Sequence, residues 1–177
     1  MVMNKLANQF FKIAALYPNN TAIYCDNKSI TYKSLAELVS QYSNYLLENQ
    51  VVYRDHIGIA MNNSIESVAL ILTAANLGVG LVPLNPTLPL DAVKTAFAFS
   101  GVKHLMARRA FFEQYDKSGG LSCNGIKFCL DGEYDGTQPL ADAHRMPAQR
   151  PVNKEVSGHE TLIITMTSGS TGSPKPI

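Results

Sequence analysis

Residues 56–86 read HIGIAMNNSIESVALILTAANLGVGLVPLNP, and this stretch decides the fold. His56 to Met61 is an apolar run of strand length. Asn63 with Glu66 three positions on has the spacing of a helix capping box, and the apolar IESVALILTAANL behind it has the length of a helix. Gly78 supplies a left-handed stop. Gly80 to Leu84 (GLVPL) is a second short apolar strand. Strand, helix and strand in that order normally build a parallel pair with a right-handed crossover.

The same alternation continues downstream. Asn85 to Pro89 is a Pro-broken loop, a helix fits Leu90 to Ser100 between Pro89 and Gly101, and Val102 to Met106 makes a third strand. The βαβαβ order implies an α/β sheet. Upstream, Leu6, Phe10, Ile13 and Leu16 form a helical stripe that ends at Pro18. Thr21–Cys25 and Lys28–Thr31 flank Asp26-Asn27, a pair that tolerates the positive φ of a tight turn, so a small hairpin is predicted. Thr31 can cap a following helix whose stripe is Leu35, Leu38, Val39, Tyr42 and Leu46, ending near Asn49.

From 107 to 160, Gly, Pro, Asp and Ser interrupt every apolar run except Ile126–Leu130, which reads as a strand. The remainder is expected to be irregular surface, with Asp131–Pro151 resembling a linker between elements. Thr161–Thr167 (TLIITMT) is the last predicted strand and runs straight into SGSTGSPKPI.

Composition narrows the function classes. With 46% apolar and 16% charged residues in 177, the chain is an ordinary globular sequence long enough to bury a core. A net charge of +1 with scattered Lys and Arg excludes a basic face for nucleic acid. Cys25, Cys123 and Cys129 lack zinc-site spacing and read as reduced thiols of a cytoplasmic protein. The N-terminal stretch lacks a signal peptide's continuous apolar core, and no run approaches the roughly 18 unbroken apolar residues of a membrane span. His56, His104, His144 and His159 sit in separate elements without metal-ligand spacing and read as structural or solvated. Arg108 and Arg109 read as solvated, and the phenylalanine pairs at 10, 11 and 111, 112 as packing.

The chemistry sits at the end of the chain. Gly169 and Gly172 let the backbone turn so that successive N–H groups can face an oxyanion. Thr167, Ser168, Ser170 and Thr171 add hydroxyls and Lys175 adds a positive charge. This is a cradle for a polyphosphate, distinct from a Walker A loop, in which the Lys follows the last Gly directly. A Gly/Ser tract of this kind is also what a flexible linker or a cloning remnant looks like, but here it follows an apolar strand.

Three strings in order carry a resemblance: ITYKSL at 30–35, IGIAMNNSIESVALILTAANLGVGLVPLNP at 57–86, and TMTSGSTGSPK at 165–175. Together they resemble the adenylate-forming (AMP-binding) superfamily of acyl-CoA synthetases, peptide-synthetase adenylation domains and luciferases. The last string is similar to the family's phosphate loop, [ST]-[ST]-G-[ST]-T-G-x-P-K-G, and is the most specific. VPLNP leans toward the acyl-CoA synthetases. The resemblance implies part of the N-terminal domain of the acyl-CoA synthetase-like fold: a largely parallel sheet flanked by helices with a small N-terminal hairpin, forming one α/β subdomain over residues 1–177.

The resemblance further implies an acid–thiol ligase. Family members join a carboxylic acid to ATP with Mg2+, release pyrophosphate, and pass the acyl group from the adenylate to coenzyme A or a carrier thiol. By the motif, Thr167, Ser168, Gly169, Ser170, Thr171, Gly172 and Lys175 contact the β and γ phosphates, Lys175 as charge partner. No catalytic residue and no metal ligand is assigned within the chain, because the family's adenine pocket, ribose-binding Asp, Mg-binding Glu, most of the acid pocket and catalytic Lys all follow the loop. The chain is therefore expected to be a truncated piece, inactive alone and prone to self-association through uncovered apolar surface. Pro176 departs from the family's Gly, which puts the loop's mobility in question. Two other readings stay open: a non-catalytic nucleotide- or partner-binding α/β module, and an unrelated α/β domain with a Gly/Ser tail.

Overall fold

The computed structural model describes residues 5–116, 120–152, 156–157, 159–167 and 175–176. Two compact units result: Met1–Arg54, Asn62–Val79 and Asp142–Leu162 form one, and Asp55–Met61, Gly80–Ala141 and Ile163–Ile177 the other.

The first unit is helical. It holds α1 (Lys5–Leu16), the hairpin β1 (Thr21–Cys25) and β2 (Lys28–Thr31), α2 (Tyr32–Glu48) and α3 (Ile65–Leu77). The hairpin turn uses positive φ at Asp26 (47°) and Asn27 (62°), as their short polar side chains permit. Thr31 caps α2, its hydroxyl accepting from the Ser34 N–H at 3.2 Å. The stripe predicted for α1 is rotated: Ala7 and Ala14 are buried, while Leu6 is 46% and Leu16 59% exposed. Small alanines let α1 approach α2 and α3 closely, and the larger stripe residues are left at the rim. The capping box of α3 also shifts by one residue. Ser64 is the N-cap and trades hydrogen bonds with Ser67 (3.1 and 2.9 Å), leaving Glu66 in the first turn. Gly78 closes α3 at φ 69° as expected.

The stretch 142–151 is more than a linker. Asn44 Nδ2 donates to the carbonyls of Pro147 and Gln149 at 2.8 and 3.0 Å, which fastens that segment to α2. Arg150 reaches further in. Its Nε donates to Asn76 Oδ1 and its Nη2 to Asn8 Oδ1, both at 2.7 Å, and its guanidinium lies 4.2 Å from the Phe11 ring centroid. Burial pushes the Arg150 pKa down.

The second unit is a five-stranded parallel sheet of order β4-β3-β5-β6-β7, formed by β3 (His56–Ala60), β4 (Gly80–Pro83), β5 (His104–Ala107), β6 (Lys127–Cys129) and β7 (Gln138–Pro139). Both outer strands end on a proline. Helices α4 (Leu90–Ser100) and α5 (Arg109–Asp116) complete it, and the core gathers Val93, Phe97, Leu105, Phe111, Phe112 and Tyr115. This is the α/β, largely parallel architecture with a small hairpin that the sequence implied. Its third strand starts two residues later than predicted, because Val102 bonds back to Phe97 in closing α4 and Lys103 N–H goes to His56 O.

The expectation of an irregular 107–160 is corrected by α5, β7 and a 3-10 helix at Leu140–Arg145, where Leu140 and Ala143 are buried at 3% and 0%. These elements are too short to show an apolar period, and contacts made elsewhere in the chain hold them.

Candidate functional site

The predicted strand 161–167 divides into two anchorages. Ile163 forms an isolated parallel bridge with Leu81 of β4, and the Ile164 N–H donates to Leu81 O at 2.8 Å. Met166–Thr167 then forms β8, which pairs antiparallel with β9 (Lys175–Pro176). In that ladder Thr167 is the direct partner of Lys175, and Met166 of Pro176. The first and last residues of the string predicted to be a phosphate loop are thus neighbours across a two-stranded ribbon, and β9 runs beside α4. Of the other predicted contacts, Ser168, Gly169, Ser170, Thr171 and Gly172 lie outside the described residues.

Just ahead of this strand is a clamp in the first unit that the sequence reading passed over. Glu160 Oε1 accepts from the Ser157 N–H and hydroxyl, each at 2.7 Å, and from the Tyr53 hydroxyl at 2.8 Å. Burial would raise this carboxyl, but the Ser157 and Tyr53 donors outweigh it and hold Glu160 down to about 2. The Ser157-x-x-Glu160 spacing is that of a capping box, which was the available signal.

The histidines are structural where their contacts are described. His104 is 1% exposed, its Nδ1 accepts the Ile126 N–H at 3.0 Å, and its Nε2 faces Asp55 Oδ2 at 3.0 Å. Lys103 Nζ closes on both Asp55 oxygens at 3.0 Å. These groups gather where β3, β5 and β6 begin, whereas ligands of open α/β sheets bind beyond the strands' carboxyl ends. His56 Nδ1 bonds the Ser100 carbonyl. Cys129 is buried and unbridged, with its thiol pushed up by burial.

Among the described residues no group of three or more His, Cys, Asp or Glu side chains is placed to hold a metal ion. No helix among them is long and apolar enough to cross a membrane.

With this geometry in hand, the relatives are informative. Phosphinothricin tripeptide synthetase PhsC of Streptomyces viridochromogenes is 25% identical over 93% of this chain, which spans 14% of that protein. An anthranilate CoA ligase, AuaEII, solved with anthranoyl-AMP, superposes with a TM-score of 0.87 at 18% identity, covering all of this chain and 35% of the ligase. A fatty acyl CoA synthetase of Mycobacterium tuberculosis gives 0.80 at 23% identity, over 97% of this chain and 34% of the synthetase. The chain thus spans a seventh of that curated relative and about a third of those solved chains. Residues 10–177 match the AMP-binding enzyme family, and the chain belongs to it.

Proposed function

We propose that the chain supplies the phosphate-binding loop of an enzyme that activates a carboxylic acid with ATP, forming an acyl-adenylate and pyrophosphate before passing the acyl group to a thiol. The supporting observation is the ribbon that seats Thr167 against Lys175, at the two ends of a motif built from Gly and hydroxyl residues. In this reading Ser168, Gly169, Ser170, Thr171 and Gly172 lend N–H and hydroxyl donors to the β and γ phosphates, and Lys175 neutralises charge on the departing pyrophosphate. Catalysis of this kind is positioning and electrostatics rather than covalent chemistry.

The acceptor thiol is proposed to be that of coenzyme A, on the strength of Val82-Pro83-Leu84-Asn85-Pro86. The peptide synthetases among the relatives, with a solved adenylation–PCP di-domain from Klebsiella oxytoca, favour a second reading, a carrier-domain thiol. Magnesium belongs to the family's chemistry, but the described residues offer no three-ligand cluster for it, and nothing proposed for this chain runs through one.

Calorimetric titration with ATP tests the loop. Lys175→Ala should weaken binding at least about tenfold, the loss of about 1.4 kcal/mol of charge-assisted contact; unchanged affinity would remove the reading. The 177-residue chain alone should show no acid-dependent pyrophosphate exchange. Offering the native protein coenzyme A and a phosphopantetheinyl carrier side by side separates the two acceptors.

A further inference from the structure

Strand β4 uses its two edges differently. The Gly80 N–H donates to Asp55 O at 2.9 Å and the Leu84 N–H to Ile59 O at 2.8 Å, so the even-numbered amides face β3. Strand backbone groups alternate, which turns the groups of residues 81 and 83 toward the opposite edge. That edge receives the segment leading to the phosphate loop, through the Leu81–Ile163 bridge and the Ile164 N–H to Leu81 O bond. In a parallel ladder the next rung is donation from residue 83 to the Ile164 carbonyl. Residue 83 is a proline, which has no N–H to give, and the bridge stays isolated. On the β3 side nothing is lost, since Pro83 keeps its register with Ile59. Three residues past Ile163 the chain pairs instead with Lys175–Pro176.

We propose that Pro83 is a positioning residue for the nucleotide: by denying one rung, it stops the loop-bearing segment from zipping along β4 and leaves Thr167 to pair with Lys175. This rests on the reading of residues 167–175 as the phosphate loop. Pro83 is solvent-exposed, so its replacement leaves no cavity. Restoring an N–H should extend the sheet by a rung, holding or raising stability while the loop's base is drawn away from its working position. A purely structural proline would behave in the opposite way, its loss lowering stability and leaving nucleotide affinity alone.

The test uses Pro83→Ala and Pro83→Val, the second adding strand propensity, with Lys175→Ala alongside. Three quantities are measured: amide hydrogen exchange at residue 83, the thermal midpoint, and ATP affinity by calorimetry. The expected result is a protected amide, an unchanged or higher midpoint, and ATP affinity lower by about tenfold. A freely exchanging amide at residue 83 in both variants overturns the proposal. So does a protected amide with ATP affinity within about twofold of the parent while Lys175→Ala still weakens it. If Lys175→Ala has no effect, it is the phosphate-loop reading that fails, and protection at residue 83 alone then decides whether Pro83 limits the pairing.

Discussion

The Tyr53 hydroxyl donates to Glu160 Oε1 at 2.8 Å, tying together residues 107 positions apart. With the carboxyl held at about 2 against an ordinary 4.5, folding favours the ionised form. The resulting stabilisation is complete above the unfolded value and drains away as pH falls from about 4.5 toward about 2. Glu160→Gln should therefore lower the thermal midpoint at pH 7, and its midpoint should converge on that of the parent near pH 2. Tyr53→Phe should lose about 0.5–1.5 kcal/mol at neutral pH. Parallel midpoint curves across the acid range would contradict the assignment.

Asp55 is the acceptor for a buried imidazole. Because His104 Nδ1 accepts the Ile126 N–H, the ring proton sits on Nε2 and points to Asp55 Oδ2. Asp55→Ala strands that N–H and should cost about 1–3 kcal/mol in urea unfolding. Asp55→Asn keeps an acceptor oxygen and should cost distinctly less. Equal losses would show that the Lys103 ion pair, not the imidazole, sets the effect.

Gly125 lies against the same ring. A Cβ there would fall 2.6 Å from His104 Nδ1 and 2.7 Å from Lys103 O, both held in place. Gly125→Ala should cost about 1–3 kcal/mol by overpacking and should expose the Ile126 amide to exchange. A stability within experimental error of the parent would refute the close approach.

Arg150 serves two amides and a ring face at once. A lysine carries the charge but cannot reproduce the planar fork, so Arg150→Lys should destabilise nearly as much as Arg150→Met, by about 1–3 kcal/mol. Full rescue by lysine would mean that charge alone matters.

Much of this was legible beforehand. Asp26-Asn27, Thr31, Gly78 and Gly101 did locally what their chemistry predicts, because turns and caps are decided by neighbouring residues. The parallel β3, β4 and β5 followed from connection order. What escaped was non-local: β7 exists by pairing with β6, the 3-10 helix by burying Leu140 and Ala143, and the α1 face by the approach of α2 and α3. The predicted loop was readable only as a string, and that Thr167 pairs with Lys175 needed the ladder. The Tyr53 bond to Glu160 was out of reach because it joins a distant loop, whereas the local Ser157–Glu160 spacing was there to be read.

The prolines at both ends of the parallel sheet also govern how copies of this chain can meet. An open strand invites a second chain to add itself rung by rung, the route to fibrillar aggregates. Here β7 is two residues long and ends on Pro139, while β4 ends on Pro83 and already spends its Leu81 carbonyl on Ile164. Neither border offers a template. Crowded copies should associate through apolar side-chain patches into amorphous, dissolvable clusters, and thioflavin-negative turbidity is the expected mark of the concentrated chain.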